Sequence, residues 1–173
     1  MTEDAHGGGA ARLGRAELGE RLGGFVYGTI VVLSLIVAGA KSFPHHAPSI
    51  AALVAFTTVV FWLAHVYAHA VAHSVGRGEH LSRAELRSIA YRESSIIEAA
   101  VPSLVALALG ALGVISTKTS VWAGMGFGIA VLVAEGIVFA RVERLGALAT
   151  VGVVAANASL GLALIALKVV LGH

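Results

Sequence analysis

The chain has 173 residues, of which 57% are hydrophobic and only 13% are charged, and its formal net charge is +2. A soluble domain carries about 25% charged residues, so this composition predicts an all-α protein that lies mostly within a lipid bilayer and has no nucleic-acid partner. The absence of cysteine excludes disulfides, thiolate metal sites, iron–sulfur clusters and a cysteine nucleophile.

The hydrophobic pattern predicts one polytopic domain, residues 24–171, which is a bundle of five transmembrane helices. A flexible or amphipathic cytoplasmic leader, residues 1–23, precedes it. In the polar segment 76–93, Ser82-Arg-Ala-Glu85 has the pattern of a capping box, so a helix is predicted to begin at Arg83 and to continue into span three. The predicted spans are residues 24–40, 50–75, 94–115, 119–140 and 146–171.

The distribution of positive charge predicts the orientation in the membrane. Nine of the 12 Lys and Arg residues lie in the leader and in the connections that follow spans two and four. The opposite side has Lys41, Lys118 and Lys168. Because positive residues are enriched on the cytoplasmic side, the N-terminus is predicted to be cytoplasmic and the C-terminus external, in the inner membrane of the cell.

Three histidines stand four residues apart in predicted span two: His65, His69 and His73. Four residues advance a helix face by about 40°, so the three side chains form one stripe. Ionisable groups inside a span are costly, and an intramembrane polar stripe therefore indicates a functional site. His73 lies nearest the interface, where contact with lipid headgroups would explain it equally well.

Two acids complete the set of ionisable groups predicted within the bilayer, Glu98 in span three and Glu135 in span four. The helical rise of about 1.5 Å per residue places His69 and both carboxylates about 10 Å from the span centres, on the cytoplasmic side, and His65 about 5 Å. This shared depth predicts that the four groups form one cluster.

Three further polar or helix-breaking residues are supporting candidates. Pro102 removes the backbone hydrogen bond to the carbonyl of Glu98, which either offers a ligand oxygen or only kinks the helix. Asn157 lies near the midplane of span five, where it either lines a path or clamps two helices. Tyr67 lies between two histidines of the stripe.

The cluster suits two kinds of ion chemistry. His65 and His69, completed by Glu98 and Glu135, would hold a divalent cation such as zinc, iron(II), manganese or cobalt. The same groups would relay protons, because histidine changes charge near neutral pH. The favoured interpretation is a transporter or channel for a divalent metal, for protons or for both.

Two other interpretations stay open. The first is a structural or accessory membrane subunit with no ion site of its own. The second is a small membrane metalloenzyme or haem-binding protein, although the predicted spans contain neither an HExxH motif nor the Glu-x-x-His pairs of a di-iron bundle.

Small residues recur at the spacing used in membrane helix packing. Gly124 and Gly128 form a GxxxG pattern in span four, and Gly152 with Ala156 repeats it in span five. The pattern indicates either close packing within one subunit or the seam of a homo-oligomer, for which a dimer is favoured.

The layout resembles the vacuolar iron transporter family. That family has five spans, the same orientation and a cytoplasmic segment between spans two and three, and the glycine-rich run Ala106-Leu-Ala-Leu-Gly-Ala-Leu-Gly113 is also similar. The resemblance implies a homodimer that exchanges divalent iron or manganese for protons. Where the family has an Asp-Gly motif in span one, this chain has Tyr27-Gly28-Thr29, so no functional residue of the family is carried over.

Overall fold

The computed structural model describes residues 3–77 and 81–171, and residues 78–80 of the predicted polar segment lie outside this part. The described chain is all-helical, as the composition predicts. Its helices are α1 (Glu3–Ser42), α2 (Ala47–Arg77), α3 (Arg83–Arg92), α4 (Ser95–Ala111), α5 (Thr117–Val142) and α6 (Ala147–Leu171).

Four described helices are long and apolar enough to cross a membrane, and the count rises to five if α3 and α4 form one bent span. The four candidate segments are Leu18–Ser42, Ala47–Gly76, Thr117–Val142 and Ala147–Leu167. Helix α1 continues without a break from Glu3, so no helix boundary separates the predicted leader from the first span.

The capping box predicted at Ser82 is confirmed. The Ser82 hydroxyl accepts a hydrogen bond from the backbone N–H of Glu85 (3.2 Å), and the Ser82 backbone N–H donates to the Glu85 carboxylate (2.9 Å). These two bonds satisfy backbone donors that the first turn of α3 would otherwise leave without a partner.

The prediction that the helix begun at Arg83 continues into span three is wrong. The helix is interrupted between Arg92 and Ser95, and its axis bends there by 43°. At the break, the Ser94 hydroxyl donates to the backbone carbonyl of Tyr91 (2.8 Å). A serine side chain that bonds to nearby backbone competes with the helical hydrogen bonds, which explains why the helix stops there.

The predicted end of span three, residue 115, is also corrected, since α4 ends at Ala111. Gly113 adopts a φ of 75°, which a residue with a Cβ rarely adopts. The Val114 N–H then bonds to the carbonyl of Leu109 (3.0 Å), and the Gly113 N–H bonds to that of Gly110 (3.1 Å). This is a Schellman motif, which satisfies the last carbonyls of the helix.

Helix α1 is the central element, because it packs against α2, α4, α5 and α6. The core of the bundle forms around it, and its largest fully buried side chains are Leu33, Ile36, Ile50, Ile96, Leu107, Met125 and Leu132. Helix α6 packs mainly against α1 and α5.

The predicted packing glycines divide into two kinds. Gly124 and Gly128 are buried within the chain, and a Cβ added at Gly128 would lie 2.6 Å from the Cδ2 of Leu33 on α1. Gly152 is exposed, and a Cβ there would meet no described atom within 4 Å. The GxxxG pattern of α5 therefore serves packing inside one subunit.

The connections between helices meet at opposite ends of the bundle. At one end, Pro44 and His45 after α1 line a shared depression with Thr117 and Lys118 at the start of α5. At the other end, Arg92 of α3 lies 3.6 Å from the carboxylate of Glu20 on α1. The second end contains the polar side chains that follow.

Gly128→Ala is expected to destabilise the bundle by about 1–3 kcal/mol, because the added methyl group overpacks against the fully buried Leu33. Gly126→Ala is the matched control, since it lies two residues away on the same helix and its Cβ meets no described atom within 4 Å. The free energy of unfolding of both variants is measured in mixed micelles that contain an increasing fraction of a denaturing detergent. Equal stability of the two variants would contradict the tight α1–α5 packing.

Candidate functional site

The three histidines of the stripe line one cavity, of about 530 Å³, between α1, α2 and the α3–α4 corner. We call it the histidine cavity. His65, His69 and His73 come from successive turns of α2, and Tyr27 and Glu93 line the cavity from α1 and the corner. The sequence prediction that the stripe occupies one helix face therefore corresponds to a common cavity wall.

Glycines on α1 leave room for this cavity. Gly23 and Gly24 line it, and neither brings a side chain toward the histidines. A Cβ at Gly24 would also collide with the side chain of Ser95, and one at Gly28 would lie 3.0 Å from the Cα of Ile96. Helix α1 therefore lies directly against α4 beside the cavity.

His65 is oriented by its own helix. Its Nδ1 lies 2.9 Å from the backbone carbonyl oxygen of Phe61, and its ring centroid lies 5.1 Å from that of Tyr27. A carbonyl oxygen can only accept a hydrogen bond, so Nδ1 is the protonated nitrogen. In the neutral ring, Nε2 is then an acceptor that can take up a proton or bind a metal ion.

His69 is oriented in the same way by Glu93. The Nδ1 of His69 lies 2.8 Å from a carboxylate oxygen of Glu93, and the His69 side chain is 58% exposed while that of Glu93 is 17% exposed. The Glu93 carboxylate therefore accepts the hydrogen bond from Nδ1–H of His69, which fixes the orientation of the ring.

Glu93 is a functional candidate that the sequence pattern does not indicate. It lies in the polar segment 76–93, where a charged residue is expected to be solvated. The break at Ser94 instead turns the chain, so that the carboxylate at the end of α3 meets α2. The signal in the sequence is the Ser94-Ser95 pair directly after Glu93, which marks a helix interruption beside a carboxylate.

Glu98, the predicted partner of the histidines, is paired elsewhere. Its two carboxylate oxygens accept hydrogen bonds of 2.9 and 3.2 Å from Nη2 of Arg21, and one of them lies 2.7 Å from the Ser94 hydroxyl oxygen. The Arg21 guanidinium also lies 5.4 Å from the ring centroid of Tyr91. Because guanidinium and carboxylate attract strongly, Glu98 belongs to this ion pair, and it does not line the histidine cavity.

Glu135 lines a second cavity, of about 490 Å³, between α1, α5 and α6. We call it the glutamate cavity. Glu135 is only 7% exposed, and neither of its carboxylate oxygens has a hydrogen-bond partner among the described residues. Asn157 lines the same cavity, and its Nδ2 donates to the carbonyl of Leu132 at 3.3 Å.

The predicted cluster is therefore divided by α1. Gly23 and Tyr27 line both cavities, so the histidines and Glu135 lie at a similar level of α1 but on different sides of it. Equal depth along the membrane normal does not bring side chains together when a helix stands between them.

The remaining candidates lie outside the two cavities. Tyr67 is 72% exposed on α2, and Pro102 lies within α4, where the neighbouring Ser103 hydroxyl donates to the carbonyl of Gly124 (2.8 Å). Within residues 3–77 and 81–171, no three His, Asp or Glu side chains come close enough together to hold a metal ion.

Comparison of the chain with protein-family models, with curated protein sequences and with solved structures gave no match. The resemblance to the vacuolar iron transporter family therefore stays a prediction.

The contact between α2 and Glu93 can be tested by crosslinking, because the natural chain contains no cysteine. The double variant His69→Cys/Glu93→Cys is expected to react efficiently with a short bifunctional thiol reagent, since the two native side chains meet at 2.8 Å. Tyr67→Cys/Glu93→Cys is the matched control, as Tyr67 lies two residues away, about 160° around the helix. A protease cut between residues 77 and 83, followed by gel electrophoresis, reveals the crosslink. Equal yields from both pairs would rule out this orientation of α2.

Proposed function

We propose that this chain is a multi-pass membrane protein that moves cations, with protons as the favoured cargo, through the histidine cavity. The observation that carries the proposal is the line of three histidines on one wall of a cavity, with His69 bonded to Glu93. Chains of histidine and carboxylate groups inside a membrane are a recurring form of proton relay.

The orientation of His65 and His69 supports proton movement. In both, Nδ1 is held by an acceptor, the Phe61 carbonyl for His65 and the Glu93 carboxylate for His69. Nε2 of each ring is then the site where a proton arrives and leaves, while Nδ1 stays anchored. Successive turns of α2 place the rings along the helix, as a stepwise relay requires.

A divalent metal ion is the second candidate cargo, and the same hydrogen bonds favour it. A histidine that binds a metal ion usually donates its other ring N–H to a backbone carbonyl or a carboxylate, which is the arrangement of His65 and His69. This is also the cargo that the resemblance to the vacuolar iron transporters implies. Zinc, iron(II) or manganese would require a third ligand, which water would supply, because no three His, Asp or Glu side chains meet within the described residues.

The proposal includes five membrane crossings with a cytoplasmic N-terminus. Two contacts support α4 as a crossing. The Arg92–Glu20 pair places the end of α3 beside the start of the first span, and the depression shared by His45 and Lys118 places the start of α5 beside the α1–α2 connection. Helix α4 joins these two ends with 17 residues, or about 26 Å, which is close to the hydrocarbon thickness of about 30 Å.

A homodimer in the inner membrane is part of the same proposal. Because Gly124 and Gly128 are buried inside the chain, the seam would use the exposed small residues Gly152 and Ala156 of α6.

The flux test uses proteoliposomes with an entrapped pH-sensitive dye and a potassium diffusion potential. The wild type is expected to acidify or alkalinise the lumen, according to the sign of the potential. In the His65→Ala/His69→Ala variant the rate is expected to fall at least about tenfold, because the proton acceptors are gone. Glu93→Gln should reduce the rate less, since it leaves the rings in place. Glu143→Gln and Tyr67→Phe, both at exposed positions outside the cavity, are the matched controls.

A parallel assay with a metal-sensitive dye distinguishes the two cargoes. Metal flux that depends on the histidines, without proton flux, would replace the first proposal by the second. Neither flux in wild type would contradict both and would favour the structural or accessory role.

The topology is tested with single cysteines and a membrane-impermeant maleimide. Lys118→Cys is expected to react from outside the cell, and Ser88→Cys and Glu143→Cys only from the cytoplasmic side. Labelling of Lys118→Cys and Ser88→Cys from the same side would mean that α4 does not cross the membrane.

A further inference from the structure

The glutamate cavity contains a buried carboxylate without a hydrogen-bond partner among the described residues. Glu135 is 93% buried, and neither of its carboxylate oxygens has a hydrogen-bond partner in the described part of the chain. Burial of a carboxylate without a partner is costly. A fold that retains such a group in the wall of a cavity of about 490 Å³ offers a place for a positively charged ligand.

The side chains that would ordinarily satisfy Glu135 are engaged elsewhere. The nearby α1 contributes Arg21, but its guanidinium bonds to Glu98 on another side of the helix. Asn157 lines the same cavity, but its amide donates to the carbonyl of Leu132. The carboxylate therefore stays available to a ligand.

The walls indicate the chemical class of that ligand. Apart from Glu135, Asn157 and Tyr27, the lining side chains are apolar: Leu22, Val26, Ile30, Phe139 and Val153. A metal ion needs several oxygen or nitrogen ligands. In this cavity it would lose its bound water, and the apolar side chains offer no ligand atoms to take the place of that water. A cation whose charge is shielded by apolar groups would match both the carboxylate and the walls.

Size and aromatic content agree with this class. A cavity of about 490 Å³ lies within the range of small-molecule sites, roughly 300–1,000 Å³, which are mostly apolar with a few polar groups. Two aromatic residues, Tyr27 and Phe139, line the cavity, and aromatic rings attract cations. Phe139 is 42% exposed, so the cavity reaches the outer surface of the bundle, where the ligand would enter.

We propose that the glutamate cavity is a binding site for a lipophilic monovalent organic cation, with Glu135 as its counter-ion. The site lies across α1 from the histidine cavity, and it does not depend on proton or metal movement by the histidines. Tyr27 lines both cavities.

The test compares two probes of nearly the same shape and opposite charge, tetraphenylphosphonium and tetraphenylborate. Binding of each to the detergent-purified full chain is measured by equilibrium dialysis. Wild type is expected to bind the phosphonium saturably and the borate at least about tenfold more weakly, because the carboxylate attracts only the cation.

Glu135→Gln is expected to weaken phosphonium binding at least about tenfold, since it removes the charge and retains the shape. Glu98→Gln is the matched control and should bind as wild type does, because that carboxylate lies outside the cavity. If Glu135→Gln does not fold, Val153→Trp provides a second test, as the larger side chain fills the cavity and leaves Glu135 in place.

Equal binding of the two probes, wild-type affinity in Glu135→Gln or Val153→Trp, or no saturable phosphonium binding by wild type would each overturn the proposal. Loss of proton flux in the histidine variants with normal phosphonium binding would leave it intact, so the two proposals succeed or fail separately.

Discussion

The close contact of α1 with its neighbours is the constraint on which the rest of the structure depends. Gly28 brings α1 to the backbone of α4, and Gly128 receives the buried Leu33 of α1 against α5. In a membrane, where apolar helices gain little from leaving lipid, such close approach supplies much of the attraction between helices. Because α1 lies at the centre, its position decides which side chains of the other helices can meet.

This central helix separates the polar groups into two sites with different chemistry. On one side, the stripe of α2 lines a cavity with several polar groups, and its His69 contacts Glu93 directly. On the other side, Glu135 stands almost alone among apolar side chains. Between them, Arg21 pairs with Glu98 and removes that carboxylate from either site. The pairing follows from charge, because a carboxylate forms stronger hydrogen bonds with a guanidinium within reach than with a neutral imidazole.

Local patterns in the sequence were reliable guides to the elements. The capping box at Ser82 gave the start of α3 because its hydrogen bonds involve residues three apart, and the four-residue spacing of His65, His69 and His73 gave a common face because helical geometry is regular. The early end of α4 was harder to predict, since Gly113 lies in an uninterrupted apolar run, residues 104–115, that would also suit a longer helix.

The sequence by itself determined that the chain is helical and apolar enough to cross a membrane, where its buried ionisable groups lie along each helix, and which of them share a face. These properties depend on residues close together in the chain. Only the tertiary structure decided that Glu93 meets His69, that Glu98 meets Arg21, and that Glu135 lies across α1 from the histidines. The physical reason is that helical rise gives the depth of a side chain, whereas its partners depend on how each helix is rotated and on which helix stands between them.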